Sequence, residues 1–148
     1  MLQLASSTDS ERLLDFIQAY HQFEKIQSER ETLKKVLAPL LVPDNQLGRA
    51  WLVVHGAQPV GYLIIAFGYS IESGGRDAIV DEFFIDEDHR GLGLGYNVFA
   101  QLKTVVQPLD IKALYLEVAQ DNVTAQRLYE KVGFIKRNKY FLMNLDMQ

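Results

Sequence analysis

An arginine and three glycines have the types and the spacing of an anion-binding turn. In the stretch "DEDHRGLGLGYNVF", residues 86 to 99, Arg90 is followed by Gly91, Gly93 and Gly95, where an apolar helical pattern begins. Glycine inside a helix costs roughly 1 kcal/mol relative to alanine, so its repeated use at a helix start requires a reason. The unpaired amides and positive dipole end of a helix N-terminus bind anions, and glycines let a phosphate approach the main chain. The stretch therefore predicts an anion site to which Arg90 adds charge.

The glycine spacing separates this turn from two other phosphate motifs. The dinucleotide fingerprint needs a third glycine three residues after the second, and that position holds Tyr96 or Val98, depending on which glycine pair is counted. The P-loop ends in Gly-Lys-Ser/Thr, whereas Gly95 precedes Tyr96 and Asn97. An Arg-x-x-Gly-x-Gly turn remains, and the structural alternative is a glycine turn that only reverses the chain.

Two adjacent acids, Asp81 and Glu82, are candidates for proton transfer. They lie in a predicted strand, and strict alternation would send their side chains to opposite faces, so that only one faces a cleft. Either carboxylate could accept a proton from an amine, directly or through water. For each of them a solvated or salt-bridged acid is the alternative.

The elements that position these residues follow from the apolar periodicity. The chain predicts the order β-α-α-β-β-β-α-β-α-β-β. The first helix is capped by Asp9 or Ser10, the second runs from about 28 to 40, the third from after the glycines to Pro108 and the fourth from about 122 to 132, and a final hairpin covers 133 to 146. This order predicts an α/β fold, of the α+β type, with a mixed sheet and helices on its faces. No repeat or linker interrupts it, so a single domain over residues 1 to 148 is expected.

Composition narrows the classes of function. The chain has 148 residues, a net charge of -4, no cysteine and three widely separated histidines, His21, His55 and His89. These features argue against nucleic-acid binding and predict no metal site, while the acidity favours a small cationic partner. No apolar run approaches the ~18 residues of a membrane span and no signal peptide is evident. A cytoplasmic protein without membrane contact is expected.

Two motifs carry a resemblance to a known family. "VDEFFIDEDHRGLGLG" resembles motif A of the GNAT N-acetyltransferases, an Arg/Gln-x-x-Gly-x-Gly/Ala turn after an acidic and aromatic strand. "LEVAQDNVTAQRLYEKVGF" is similar to the family's second signature, a strand followed by Asn-x-x-Ala-x-x-x-Tyr and Gly-Phe. The spacing is most similar to the polyamine (diamine) acetyltransferase branch. The resemblance implies the GNAT acyl-CoA N-acyltransferase fold and acetyl-CoA as cosubstrate.

The resemblance also implies roles for individual residues. Main-chain groups of Phe84 and Ile85 would pair with the pantetheine like an added strand, Asn122 would touch the cofactor arm, and Tyr129 would stand near the sulfur. The pyrophosphate would be held by a set of consecutive residues: Arg90, Gly91, Leu92, Gly93, Leu94 and Gly95. Leu92 and Leu94 occupy positions that in the family are often filled by a basic and an aliphatic residue. Neutralisation of the pyrophosphate charge would therefore rely more on Arg90.

Tyr129 is the candidate acid. It lies seven residues after Asn122, two helical turns on, so both project from nearly the same side of their helix. A phenol is a donor at neutral pH and can protonate a thiolate, although a tyrosine at helical spacing is in general more often a core residue. Weaker candidates, for which a solvated surface position is the preferred interpretation, are Glu117, Tyr20, His21, Glu24 and Arg76.

The resulting hypothesis is an N-acetyltransferase that transfers the acetyl group of acetyl-CoA to a primary amine, by direct attack in a ternary complex. The acidic chain and the polyamine-like spacing suggest a small cationic amine. A protein lysine or N-terminus, an amino acid or an aminoglycoside are alternative acceptors, and a catalytically silent CoA-binding module is the rival from another class. The resemblance further implies a homodimer.

Overall fold

The computed structural model describes residues 1 to 148 and divides into two compact units, residues 1–117 and 118–148. The single domain expected over the whole chain stays a prediction. None of the helices combines the length and apolar character that crossing a membrane requires.

The first unit contains a five-stranded mixed sheet in the order β1-β2-β3-β4-β5. Neighbouring strands are antiparallel from β1 to β4, and β5 is parallel to β4. The turn residues HGAQP at 55 to 59 and Gly74-Gly75 in the sequence predict two hairpins, and both are confirmed. The strands are β1 (Leu2–Leu4), β2 (Gly48–His55), β3 (Gln58–Ser70), β4 (Gly75–Ile85) and β5 (Leu114–Leu116).

Three helices cover the two faces of this sheet: α1 (Ser10–Phe23), α2 (Arg30–Leu37) and α3 (Leu94–Val105). α1 buries Leu13, Leu14 and Ile17 against one face, where they form a core cluster with Tyr62 and Ile64 of β3. α3 lies on the other face, where Phe99 packs edge-to-face on Phe83 of β4 with ring centroids 5.0 Å apart. The apolar stripes that the sequence shows are therefore buried on opposite sides of one sheet.

A β-bulge interrupts β4. Ile65 of β3 pairs with Val80 and the next residue back, Ile64, pairs with Glu82, so Asp81 is an extra residue without a partner in the ladder. Because paired residues share a face, Val80 lies on the α3 face with Ile65, and Glu82 lies on the α1 face with Ile64. Strict alternation, on which the sequence-based separation of Asp81 and Glu82 depended, is therefore wrong at this point of the strand.

The second unit contains one helix, α4 (Val123–Val132). Asn122 caps its start by accepting a hydrogen bond from the amide of Ala125 at 3.1 Å, and Gly133 ends it with φ of 110°. The final hairpin predicted over residues 133 to 146 is not formed, since no strand follows α4. A strand needs a neighbour to satisfy its backbone groups, and side-chain alternation alone does not supply one. The observed order is therefore β-α-α-β-β-β-α-β-α, and the mixed α/β class is confirmed.

Candidate active site

The glycine turn before α3 places two residues in the left-handed region. Gly91 and Gly93 each have φ of 76°, which costs a residue with a side chain roughly 1–2 kcal/mol. A Cβ built on either glycine would meet no atom within 4 Å, so the space in front of both is open. Gly93 is the N-cap of α3 and no capping side chain reaches the helix start. The turn thus offers amides that helix geometry leaves unpaired, and room for an anion in front of them, as the pyrophosphate of CoA requires.

The residues between the glycines differ in what they offer. The side chain of Leu92 is exposed, whereas that of Leu94 is buried in the core. Leu94 can therefore serve the turn only through its main-chain amide. Gly95 lies in the first turn of α3 without a positive φ.

Arg90 lies folded back over the end of β4. Its Nε donates to the carbonyl oxygen of Ile85 at 2.8 Å, and its guanidinium stacks over the rings of Phe84 at 5.3 Å and Phe23 at 5.1 Å. The side chain is exposed and starts at the edge of the glycine turn. The carbonyl of Ile85, which the resemblance assigns to the pantetheine, accepts from Arg90 in this structure.

The edge of β4 becomes unpaired where the bulge begins. β4 and β5 pair only from Ala78 to Val80, opposite Leu114 to Leu116, and β5 ends there. Residues 81–85 of β4 therefore have a strand neighbour only on the β3 side. An open edge of this kind accepts an extended chain as an added strand, which is the contact expected for the pantetheine at Phe84 and Ile85.

The carboxylate of Glu82 is held by two donors from other elements. Tyr62 donates its hydroxyl to Oε2 at 2.6 Å, and Nε2 of His21 lies 2.6 Å from Oε1. The Glu82 side chain is 18% exposed and that of His21 is 9% exposed. Burial and the negative charge of Glu82 raise the pKa of Tyr62 far above its usual range, so its hydroxyl stays a donor. Glu82 is thus a fixed carboxylate with limited access to solvent.

Asp81 differs from Glu82 in its surroundings. It lies at the bulge with an exposed side chain and has none of the hydrogen bonds that hold Glu82. Desolvation by the surrounding protein raises the pKa of Asp81, and repulsion from Glu82 and then Glu117 adds to it, while His21 acts in the opposite direction. Glu117, a weaker candidate from the sequence, thus acts on the site through the charge of Asp81.

Aromatic rings form the wall beside Glu82 on the α1 face. Tyr62 stacks on Phe16 with centroids 6.5 Å apart and contacts Tyr20 edge-on at 6.5 Å. Phe84 contacts Tyr62 at 6.3 Å and Tyr20 at 6.0 Å. Tyr20, which the sequence favours as a surface residue, therefore belongs to this wall. An apolar wall of this kind lowers the local dielectric, which strengthens the hydrogen bonds to the carboxylate.

A cavity of about 760 Å³ that opens to solvent lies beside α1, where the chain leaves α1 for α2. His21 contributes to its lining, and so does Ser28, whose hydroxyl lies 2.9 Å from Nδ1 of His21. The remaining lining is polar or small apart from one isoleucine: Gln18, Gln22, Ile26, Gln27, Glu29 and Thr32. The imidazole of His21 thus separates this cavity from the carboxylate of Glu82.

In the second unit, Tyr129 is partly buried on α4 and packs edge-on against Phe134 with centroids 5.9 Å apart. Burial raises the pKa of Tyr129, so the phenol keeps its proton at neutral pH. Asn122 uses its side-chain oxygen to cap α4. The expected contacts of both residues with a cofactor stay predictions.

Within the first unit, the structure brings together residues that the sequence treats separately. Glu82 was a candidate and His21 a weak one, while Tyr62 and Ser28 were missed. A signal for His21 existed, because it lies four residues after Ile17 and continues the buried stripe of α1. Tyr62 was also detectable, since a tyrosine inside the apolar run "VGYLIIAF" must find a partner for its hydroxyl.

Two other weak candidates take no part in this group. Arg76 stacks over the ring of Phe67 at 4.6 Å and donates to Gln46, and Glu24 forms the C-cap of α1. No group of three or more acidic, histidine or cysteine side chains is placed to bind a metal ion.

The fold and the glycine turn agree with the comparison to known families. The chain matches the Acetyltransferase (GNAT) family over residues 11–134 and belongs to that family. The family resemblance predicted from the two motifs is thereby confirmed.

Individual relatives add detail on the family. A spermine/spermidine N(1)-acetyltransferase of Bacillus subtilis is 41% identical over an alignment that covers 37% of this chain and 37% of that protein. The chain thus spans little more than a third of that curated relative's length.

Solved structures show the same fold. An integron cassette protein from the mobile metagenome of Cole Harbour Salt Marsh superposes with a TM-score of 0.87 and 26% identity, over 99% of this chain and 90% of that one. A predicted acetyltransferase with acetyl-CoA from Clostridium acetobutylicum superposes with a TM-score of 0.78 and 17% identity, over 97% of this chain and 95% of that one.

Proposed function

We propose that this protein is an acetyl-CoA-dependent N-acetyltransferase that acetylates a primary amine, with Glu82 as the base. The observation that carries the proposal is the Glu82 carboxylate, held at both oxygens by His21 and Tyr62 at the point where β4 leaves β5. A base for an amine must be held in one orientation and shielded from water, and this arrangement supplies both conditions.

Different residues of the chain have different roles in the proposed reaction. Acetyl-CoA supplies the thioester carbon that the amine attacks. Glu82 takes the proton that the amine loses as the C–N bond forms, and Tyr129 gives its proton to the sulfur as the C–S bond breaks. Solvent returns the proton from Glu82 to Tyr129. The amides and open space of the glycine turn support binding of the pyrophosphate, with Arg90 leaving Ile85 to add its charge.

A small cationic amine of the polyamine class is the proposed acceptor. The net charge of -4 favours such a molecule, and one relative carries the name spermine/spermidine N(1)-acetyltransferase. A protein lysine or N-terminus, an amino acid and an aminoglycoside are the other acceptors to compare. The cytoplasmic location expected from the sequence and the homodimer implied by the resemblance stay predictions.

The test compares two adjacent acids. Glu82→Gln should lower kcat by roughly 10²- to 10⁴-fold, the contribution of a positioned base, with acetyl-CoA affinity kept. Asp81→Asn is the matched control and should lower it far less, because Asp81 has none of the bonds that fix Glu82. Turnover is measured as release of CoA thiol with a panel of amines. If both single variants and the double variant were as active as wild type, neither carboxylate could be the base.

A further inference from the structure

His21 reaches from α1 to a strand 61 residues further along the chain. Its Nε2 lies 2.6 Å from Oε1 of Glu82, and its Nδ1 lies 2.9 Å from Oγ of Ser28. The ring is buried, although α1 otherwise buries leucine and isoleucine on this stripe. An imidazole in place of an aliphatic side chain costs stability unless both nitrogens are bonded, and here both are.

The hydrogen-bond partners of Glu82 and His21 show which of their atoms carry a proton. The hydroxyl of Tyr62 donates to Oε2 of Glu82, so the carboxylate accepts on that side. With Glu82 as a carboxylate, the short contact to His21 requires a proton on Nε2, which donates to Oε1. In the neutral ring Nδ1 is then an acceptor, and the Ser28 hydroxyl donates to it. The Glu82 carboxylate, which can only accept, thus sets this tautomer, and the Ser28 hydroxyl, which can donate or accept, satisfies the second ring nitrogen.

We infer that Ser28 and His21 form a positioning pair that orients the Glu82 carboxylate toward the amine. The inference rests on the proposed function, in which Glu82 is the base. Tyr62 and His21 bind different oxygens from different elements, so the carboxylate cannot rotate about its terminal bond without breaking one of the two hydrogen bonds. The plane of the carboxylate is thereby fixed, and with it the directions of the lone pairs that remain, which is what proton transfer from a bound amine requires.

The position of His21 also connects the base to the cavity beside α1. One ring nitrogen bonds Glu82, while the residue forms part of the wall of the cavity of about 760 Å³. Ser28 lies in the same wall, so anything that displaces its hydroxyl from Nδ1 removes the second hydrogen bond that holds the ring of His21. The pair therefore affects kcat, and it does so by holding Glu82.

The experiment uses three variants of the full chain. His21→Leu removes both nitrogens, and kcat should fall by about 10- to 100-fold, the usual cost of losing a partner that orients a catalytic group. The KM for the amine and the affinity for acetyl-CoA should change by less than about 3-fold, since His21 is proposed to act on the chemical step. His21→Gln retains an N–H that can reach Oε1, so its kcat should be higher than that of His21→Leu. The kcat of Ser28→Ala should lie between those of His21→Gln and wild type.

A cycle with Glu82→Gln separates positioning from a merely structural role. If His21 acts through Glu82, adding His21→Leu to Glu82→Gln should lower kcat little further, because the two residues act as a unit. If His21 has only a structural role, the melting temperature should fall equally in His21→Leu and His21→Gln while kcat per folded molecule stays unchanged. That result overturns the inference. Should the leucine variant fail to fold, a wild-type kcat in both His21→Gln and Ser28→Ala overturns it equally.

The same data distinguish failure of this inference from failure of the proposed function. An active Glu82→Gln variant refutes Glu82 as the base, whatever the histidine variants do. An inactive Glu82→Gln variant together with fully active histidine and serine variants refutes only the positioning pair. Loss of kcat in all of them, with non-additivity in the double variant, supports both.

Discussion

Replacing Gly93 by alanine should separate the cost of a left-handed residue from the loss of an anion site. Gly93 has φ of 76° and an added Cβ would meet no atom within 4 Å, so the free protein bears backbone strain without a clash. The expected destabilisation is about 1–2 kcal/mol. For a chain of this size the melting temperature should fall by about 2–4 °C for each kcal/mol. In the liganded protein the methyl group would occupy the space through which a phosphate approaches the amides.

Gly74→Ala is the matched control. Gly74 lies in the turn between β3 and β4, has φ of 85°, and an added Cβ would likewise meet nothing within 4 Å. Its cost to the free protein should be similar, because the backbone conformation and the open space are the same. The two variants differ in only one expected respect, which is the approach of the ligand to the glycine turn.

The assay is thermal unfolding with and without acetyl-CoA, supported by direct titration. At 100 times its dissociation constant, a ligand stabilises the native state by about 2.7 kcal/mol, so wild type and Gly74→Ala should melt roughly 5 to 10 °C higher. Gly93→Ala should lose most of this rise, and NAD and ATP should produce none in any variant. A full rise in Gly93→Ala, or an equal loss in Gly74→Ala, would refute the assignment of the anion site to this turn.

Three further predictions concern side chains. Arg90→Ala should weaken acetyl-CoA binding by about 10- to 100-fold with little change in melting temperature, and unchanged affinity in a titration would show that the amides suffice. Tyr129→Phe should lower kcat by about 10²-fold without a matching loss of stability; early melting with normal turnover would make it a core residue. Desolvation, with repulsion from Glu82 and Glu117, raises the pKa of Asp81 above its usual 3.8, so the folded state binds that proton more tightly and stability falls as pH rises through the window above 3.8. Asp81→Asn should therefore melt higher than wild type at pH 7, with the difference disappearing toward about pH 4, and a difference independent of pH would contradict this.

The family, the glycine turn and most of the helices and strands could be predicted from the sequence because they depend on local spacing. Arg90 and the glycines lie within six residues, and a helix start needs no distant partner to be recognised. The strand pairs of the two hairpins are also neighbours in the chain, so their turns indicated them.

Individual members of the group around Glu82 carried sequence signals, but their contacts with one another could not be predicted, because the group is assembled from three separate elements. His21 and Tyr62 lie 61 and 20 residues from Glu82, and only the packing of α1 on the sheet brings them to its oxygens. The bulge at Asp81 has no sequence signal either, since pairing with β3 defines it. The final hairpin was overpredicted for the converse reason: residues 134 to 148 have apolar residues of the right types but no strand beside them.

The bulge has a consequence for insertions and deletions in β4. Since Val80 and Glu82 already occupy opposite faces, deleting Asp81 would close the ladder with β3 while every core side chain kept its present side. A substitution scan keeps the main chain of position 81 in place, so it cannot test the bulge, which lies where β4 loses its pairing with β5. A chain shortened by this one residue should keep the hydrophobic core and the glycine turn, yet lose the bend that a bulge gives to a strand just before the open edge of residues 82–85.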